Sequence, residues 1–411
     1  MNNKKIVVSH PTGNANVRYL IDGLALRGML SLFYTCVAVF KGTAMYFFLE
    51  KTPLKEFTKR SFSPEVKGFT RTRPIKELIR VFALKFGFKN LIKHETGKYS
   101  VDAIYHDLDK AVARSLKGQD AIYAYEDGAL YSFEAAKKNG VICLYDLPIG
   151  YWRAMRFYLE SERVNRPDWE DTLTGFKDSQ IKLERKDNEL ELADHIFVAS
   201  TFTKKTLQMF PGNLPPVHVV PYGFPKVYEN RRYQSAEGRK IKLLFIGGLS
   251  QRKGIANVFE AVEALKDDVT LTVVGRKSSE ICKPLNDGLE KNRWIEAVPY
   301  DEVLSLMREH DVFVFPSLFE GYGLVISEAM SQGTAVITTD RTCGADFIED
   351  DKNGWLVEAG NTQSLINKLK YIIANKHKIA DIGKAGAETA RKNPSANYGN
   401  EMSGIINKLI N

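Results

Sequence analysis

The stretch that most constrains this chain runs from Asp311 to Asp340, DVFVFPSLFEGYGLVISEAMSQGTAVITTD. Val312–Phe315 is a short run of β-branched and aromatic residues halted by Pro316, and it reads as a buried strand. Gly321 and Gly323 free the backbone of the loop that follows. The spacing then predicts a helix over about Gly323–Gln332, closed by Gly333. Ala335–Thr338 reads as the next buried parallel strand. Strand, glycine loop, helix and strand form a βαβ unit, which needs a parallel sheet covered by helices.

Two carboxylates stand in this unit, Glu320 in the loop and Glu328 inside the helix, with seven residues between them. The N–H groups near Gly323 and Leu324 make a positive helix end suited to phosphate. Carboxylates beside it can hold sugar hydroxyls, so one turn offers partners for both. Solvated glutamates on an ordinary βαβ unit are the plainer reading of such a pair. The glycines, the strand ahead of them and related units elsewhere in the chain favour a site.

The same pattern opens the first half. Lys5–Ser9 reads as a strand, followed by a loop with Gly13 and a helix over about Asn14–Arg27. That order places a ligand loop at the carboxyl end of a strand, although the G-x-G-x-x-G of dinucleotide sites is absent. Met29–Phe40 reads as a helix end plus a buried strand. Asp120–Tyr125 is the next clear strand and leaves Glu126, Asp127 and Gly128 at its end. Val141–Tyr145 is another, ending in DLPIGYWR. Carboxylates at the ends of parallel strands face the ligand crevice, so Glu126, Asp127 and Asp146, with Arg153 beside them, are acceptor-side candidates. Arg153 equally suits the surface start of a helical stretch over Ala154–Ala193. His106-Asp107-Leu108-Asp109 contains a D-x-D triplet, but its helical surroundings predict solvated aspartates rather than a metal site.

Ile196–Ala199 and Val217–Val220 complete the strands of this half, and the polar run Lys226–Lys240 follows Pro221-Tyr222-Gly223. The second half restarts with strand Lys242–Ile246, the loop GGLSQRKG and a helix from about Ile255. Gly247 and Gly248 allow a sharp turn. Arg252 and Lys253, just before the helix, suit a diphosphate, or else are solvated surface cations. Val269–Val274 leads to Gly275, and Trp294–Val298 to Pro299, where backbone groups of short loops commonly read a nucleotide base. The chain divides as 1–223, 224–395 and a closing helix in 396–411 that packs back on the first half.

At 411 residues, 44% hydrophobic and 26% charged, the chain has material for two globular cores. Cys36, Cys143, Cys282 and Cys343 are scattered singly, which argues against a zinc site or a disulfide framework and suits a reducing cytoplasm. Met1–Lys5 is polar, Ile6–Ser9 is too short for a secretory core, and Met29–Phe40 is too short to span a bilayer. Net charge is +8, and its location matters: Lys51–Ser100 holds thirteen Lys/Arg against four Asp/Glu, a net +9. Within it, Ile75–Lys93 mixes apolar, aromatic and basic residues at roughly helical spacing. Such a helix either lies on an anionic membrane surface or packs by one face with its cations in water, and amphipathicity alone does not separate the two. No nucleic-acid motif accompanies the charge.

EGYGLVISEAMSQGTAVI resembles the E-x7-E region of the retaining family 4 glycosyltransferases. VVPYGF, FIGGLSQRKGI, LTVVGR, DVFVFPSLFEG and KNGWLVEAGN are similar to that family's other blocks, in the same order. The resemblance implies a GT-B fold, two Rossmann-like doubly wound domains facing a central cleft, with donor on the second and acceptor on the first. It implies that Arg252 and Lys253 hold the diphosphate, Glu328 the ribose and Glu320 the transferred sugar. The amides of Tyr322, Gly323 and Leu324 would support phosphate or sugar. With the loop residues, the donor set is Gly13, Gly248, Arg252, Lys253, Gly275, Val298, Glu320, Gly321, Tyr322, Gly323, Leu324 and Glu328, and the catalytic set Glu320, Arg252 and Lys253.

The implied reaction moves a hexosyl group from a nucleoside diphosphate sugar to a saccharide or lipid-linked saccharide, with no metal or cofactor. A bacterial surface polysaccharide pathway, in the cytoplasm or at the inner membrane face, is the expected setting. A sugar phosphorylase on the same fold, or an inactive nucleotide-sugar-binding partner in a polysaccharide assembly, are the competing expectations.

Overall fold

The computed structural model describes residues 4–52 and 55–410. Residues 1–3, 53–54 and 411, which belong to the polar amino end, the basic segment and the closing helix as read above, lie outside the described residues. Two all-parallel sheets carry the fold. Across the first, the order is Thr70–Thr72, Leu30–Thr35, Ile6–Ser9, Ala121–Tyr125, Ile142–Leu147, His195–Val198 and Val217–Val219. Across the second it is Arg293–Ile295, Val269–Val274, Ile241–Ile246, Val312–Phe315, Ala335–Thr338 and Trp355–Leu356. Every residue of Val312–Phe315 and Ala335–Thr338 is buried, as strands covered on both faces must be.

Both sheets start in the middle, run to one edge, return and run to the other. The order therefore reverses between Ile6–Ser9 and Ala121–Tyr125, and again between Ile241–Ile246 and Val312–Phe315. Loops diverge at such a point and leave a crevice beyond the carboxyl ends of the strands. This is the doubly wound architecture expected from the sequence, present twice.

The halves are tied at several places. The chain crosses at Phe224 and returns beside it: the Phe224 N–H donates to Asn393 O (2.9 Å) and the Ser395 N–H to Phe224 O (2.8 Å). The closing helix Tyr398–Leu409 lies on helix Ala15–Leu26 of the first half. Their approach depends on glycine, since a Cβ at Gly399 would stand 1.9 Å from Tyr19 O. Arg27 then donates to Ser403 Oγ (2.9 Å) and Asn400 Oδ1 (2.6 Å).

The sequence reading needs correction in three places. Ala154–Ala193 is not one helical stretch: helix Trp152–Asn165 stops before Pro167, short turns cover Pro167–Thr172 and Thr174–Lys177, and helix Gln180–Leu192 follows. Proline lacks the N–H to continue the ladder. The interruption is used, because Trp169 meets Phe259 of the second half, Ser250 Oγ donates to Thr172 O (2.6 Å) and Gln251 Nε2 to Glu162 Oε2 (2.7 Å). The strand near Trp294 spans only Arg293–Ile295, so Val298 lies beyond it. A helix at Ala44–Glu50, absent from the sequence reading, is also present.

Candidate active site

At the reversal in the second sheet, the loop after Ile241–Ile246 meets the loop after Val312–Phe315. Gln251–Lys253 forms a tight turn, with the Arg252 N–H donating to Ser250 Oγ (3.2 Å), and Gly254 ends it in the left-handed region (φ 74°). A Cβ at Gly254 would come within 2.2 Å of Pro316 O, so the two loops touch only because that side chain is missing. The Leu318 N–H donates to Arg252 O (2.8 Å), and Arg252 Nη1 donates to Phe319 O (2.6 Å).

This stitching delivers Glu320 between two cations. Its Oε1 lies 3.1 Å from Arg252 Nη1 and 2.9 Å from Lys253 Nζ, and the ammonium also sits 5.0 Å from the centroid of the Phe315 ring. Burial alone would push the carboxyl up, but Arg252 and Lys253 outweigh it and hold Glu320 below its ordinary value. Glu320 is therefore a carboxylate at neutral pH, and the sequence-predicted trio Glu320, Arg252 and Lys253 forms one cluster.

Helix Leu324–Ser331 starts next to it from Gly323 (φ 89°), and no side chain caps its first turn. Of its first-turn N–H groups, that of Ile326 donates to Gly323 O (2.9 Å), and those of Leu324 and Val325 have no carbonyl within the helix. Helix Leu130–Asn139 of the first half contrasts with it. Glu189 accepts from the Asp127, Ala129 and Leu130 N–H groups (2.9, 3.0 and 3.2 Å), and Asp109 from those of Tyr131 and Ser132 (2.8 Å each). Two buried carboxylates seal that helix end, while the end beside Glu320 stays open to an anion.

Glu328 lies on the open helix. Burial lifts its carboxyl to about 7, partly offset by the Tyr300 hydroxyl, which donates to it. Tyr300 opens helix Tyr300–Glu309, which contacts the open helix, and holds the carboxylate in place.

The predicted glycines divide by cause. A Cβ at Gly248 would meet nothing within 4 Å, so no packing demands glycine there. At Gly275 it would stand 1.8 Å from Gly247 O, and at Gly321 1.8 Å from Pro148 O. Those two positions serve close approach, the first between strand ends and the second between the halves. Gly13 (φ 59°) packs on the Phe62 ring. Tyr322 is buried and its hydroxyl donates to Gly223 O (3.2 Å), which leaves only its backbone for a ligand. Leu324 is exposed at the first helical position, and Val298 is half-buried in the loop before Tyr300.

On the other side of the crevice, Glu126 is buried with Lys186 Nζ at 2.9 Å, and Asp127 faces Lys186 and Lys182. Lysines from helix Gln180–Leu192 have thus taken up the strand-end carboxylates expected to stand open. Asp146 is buried, accepts from the Tyr123 hydroxyl and is lifted by burial to about 7. Arg153 pairs with Asp187 (2.7 Å) and stacks on Trp152. The loop after Asp146 does reach the cluster, since Pro148–Gly150 abuts Phe319 and Gly321, and Ser200 and Thr203 hydroxyls donate to Gly321 O.

Sequence reasoning passed over His10, directly ahead of Gly13. Its Nδ1 accepts from the Thr12 (3.2 Å) and Gly13 (2.9 Å) N–H groups, so Nε2 carries the proton, and that buried atom has no partner. The D-x-D triplet is also corrected. Asp107 pairs with Arg73 and Lys76, whereas Asp109 is fully buried, not solvated, with Arg185 at 2.8 Å. Among the described residues, His94, Glu95 and Asp178 are the His, Cys, Asp or Glu side chains gathered closely enough to hold a cation. Glu95 there already accepts from Ser179. A cavity of about 850 Å³ sits between helices Ile255–Ala264 and Lys283–Glu290, near Val269 and Arg293. That is the amino end of the second sheet, opposite the crevice, and it plays no part in the cluster.

Residues 227–389 match the family described as Glycosyl transferases group 1. A phosphatidyl-myo-inositol mannosyltransferase of Mycobacterium leprae (strain TN) is 31% identical over 156 residues, covering 36% of this chain and 42% of the relative. The chain spans less than half the length of the curated relatives it matches first. Sucrose-phosphate synthase from Thermosynechococcus elongatus superposes with a TM-score of 0.66 at 17% identity, covering 99% of each chain. Anabaena Alr3699/HepE in complex with UDP does so with 0.63 at 16%, covering 98% of this chain and 100% of that one. Residues 227–389 belong to the glycosyl transferases group 1 family, and they sit in a GT-B fold of two Rossmann-like domains.

Proposed function

We propose that this protein is a retaining glycosyltransferase of family 4. It moves a hexosyl group from a nucleoside diphosphate sugar to a saccharide hydroxyl, on a lipid-linked acceptor of a bacterial surface polysaccharide pathway. One observation carries the reading: Glu320 is held ionised by Arg252 and Lys253 beside an uncapped helix end at the switch point of the second sheet. The UDP bound by Alr3699/HepE supports a nucleoside diphosphate, and the mannosyltransferase name of the mycobacterial relative supports a hexosyl group and a lipid acceptor.

As the bond from the anomeric carbon to the diphosphate breaks, negative charge gathers on the leaving oxygen. Arg252, Lys253 and the first-turn N–H groups offset it, and such preorganised donors are typically worth about 10²–10³ in rate each. Glu320 accepts hydroxyls of the sugar, and Glu328 those of the ribose. The acceptor oxygen bonds to the anomeric carbon on the face the diphosphate leaves, and its proton passes to the departing phosphate oxygen. That route needs neither the acid–nucleophile pair of glycoside hydrolases nor a metal. The acceptor enters past Pro148–Gly150, and the first domain meets the inner membrane face through the basic segment 51–100.

The test is a panel of nucleoside diphosphate α-sugars with saccharide acceptors, read by proton NMR of the product. An α-linked product is expected, and a β-linked one would refute retention. Sugar 1-phosphate formed only with free phosphate would point to a phosphorylase, and donor binding without any turnover to an inactive binding partner.

A further inference from the structure

Helices Ala44–Glu50 and Pro74–Lys85 meet in one small apolar cluster, to which they give Tyr46, Leu49 and Val81 and the turn Lys55–Arg60 between them gives Phe57. Most of their large apolar side chains outside that cluster point outward. Phe47 and Phe48 on the first and Ile75 and Phe82 on the second are 53–72% exposed, and Phe86 and Phe88 just beyond the second helix are 57% and 51% exposed. Phe82 lies against both of these, with ring centroids 4.3 and 6.3 Å apart. A helix that hides its apolar face would show the opposite arrangement. Here the charged Glu77, paired with Arg60 and Arg80, is buried along with the small Ala83, while the large Ile75 and Phe82 face water. An exposed cluster of this size marks an interaction surface.

Charge selects the partner. Lys51, Lys85, Lys89 and Lys93 stand exposed on the same stretches of chain as the aromatic side chains. Between Lys51 and Ser100, thirteen Lys/Arg face four Asp/Glu, one of which is the neutralised Glu77. Exposed aromatic residues interspersed with exposed lysines match the boundary of an anionic bilayer, where rings enter the headgroup zone and ammonium groups meet phosphate.

We propose that this two-helix platform seats the protein on an anionic lipid bilayer through Phe47, Phe48, Ile75, Phe82, Phe86 and Phe88. The inference deepens the membrane contact proposed above and rests on that reading of a lipid-linked acceptor. The platform is continuous with the crevice. Helix Pro74–Lys85 follows the edge strand Thr70–Thr72, the Arg73 N–H donates to Thr35 O (3.0 Å), and Glu77 and Arg80 share a small cavity of about 60 Å³ with Pro11 and Thr12, next to Gly13. Seating the aromatic rings therefore brings the acceptor side of the crevice to the bilayer.

The test is co-sedimentation of the full chain with vesicles of phosphatidylcholine alone or mixed with phosphatidylglycerol. The chain should pellet with the anionic vesicles and be released by salt. Phe47→Ser/Phe48→Ser and Phe82→Ser/Phe86→Ser should each lower binding about tenfold or more, because they remove surface that only a bilayer covers. Lys85→Glu/Lys89→Glu should abolish the preference for anionic vesicles. A wild-type chain that stays in the supernatant with both vesicle types would overturn the proposal, and so would aromatic variants that bind like wild type. Loss of self-association in these variants by analytical ultracentrifugation, with vesicle binding kept, would also overturn it and assign the patch to a second copy. Calorimetry with nucleoside diphosphate on the same variants reads the donor site separately, so failure of one reading is not mistaken for failure of the other.

Discussion

Glu320→Gln separates chemistry from support, because the amide keeps the shape and removes the charge. In the wild type the carboxylate neutralises Arg252 and Lys253 at 3.1 and 2.9 Å. Breaking a fully buried pair costs about 3–5 kcal/mol. Here the partner side chains keep 24% and 18% of their exposure, and Arg252 retains Phe319 O, so a loss of about 1–2 kcal/mol is expected. That lowers the thermal midpoint by roughly 2–8 °C for domains of this size. Transfer should fall about 10²–10³-fold, the usual cost of losing one transition-state contact. Affinity for a nucleoside diphosphate without its sugar should hold or rise, since the anion no longer competes with a carboxylate for the two cations. Initial rates, calorimetry and a thermal melt on one preparation read all three. Turnover within twofold of wild type would refute the role of Glu320 in the reaction, and a tenfold loss of diphosphate affinity would make it a support for the cations instead.

Three further outcomes follow from the geometry. Burial lifts Glu328 from its ordinary 4.5 to about 7, so its contribution to stability is greatest below pH 4.5 and falls as pH rises through 7. Ribose hydroxyls need the ionised form, so nucleotide affinity should rise from pH 6 to 8 with proton release. Calorimetry in buffers of different ionisation enthalpy measures this, and a Glu328→Gln variant that keeps the full pH dependence would exclude Glu328 as its source. Gly321→Ala puts a methyl 1.8 Å from Pro148 O, so Pro148–Gly150 must move: about 1–3 kcal/mol of stability and most transfer should be lost, with diphosphate binding kept. Unchanged kcat would show that the approach of the two loops is unimportant. Asp109→Ala should cost about 3–5 kcal/mol, because it strips two N–H groups and leaves buried Arg185 with Glu189 (3.3 Å) in place of two carboxylates. A normal melt combined with loss of metal-stimulated activity would instead make the D-x-D triplet a metal site.

The elements around the site were legible wherever a short apolar run met a breaker. Val312–Phe315 ends at Pro316 and Ala335–Thr338 follows Gly333, and both strands have the bounds read from the sequence. Glu320, Arg252 and Lys253 were legible as types, and their meeting was not, because it depends on Gly254 letting two loops touch. Glycine was ambiguous for a similar reason. Gly275 and Gly321 looked like ligand positions, yet each is required by a carbonyl that arrives from elsewhere in the chain. Asp109 looked solvated because the helix end it caps starts twenty-one residues later, at Leu130. Phe47 and Phe48 of Ala44–Glu50 are the reverse case, since an apolar run ordinarily signals burial and these two side chains stay in water.

The most direct measurement is a calorimetric titration of nucleoside diphosphates into the wild-type chain and into Arg252→Gln/Lys253→Met. Each lost cation removes a charge-assisted hydrogen bond of about 1.5–3 kcal/mol, so the double variant should bind at least about a hundredfold more weakly. Glu320 takes up a proton in that variant rather than remaining charged and unpaired. Wild-type binding that is lost in the variant, with the melt largely kept, is the expected result; equal affinity in the two proteins would mean that the diphosphate is held somewhere else.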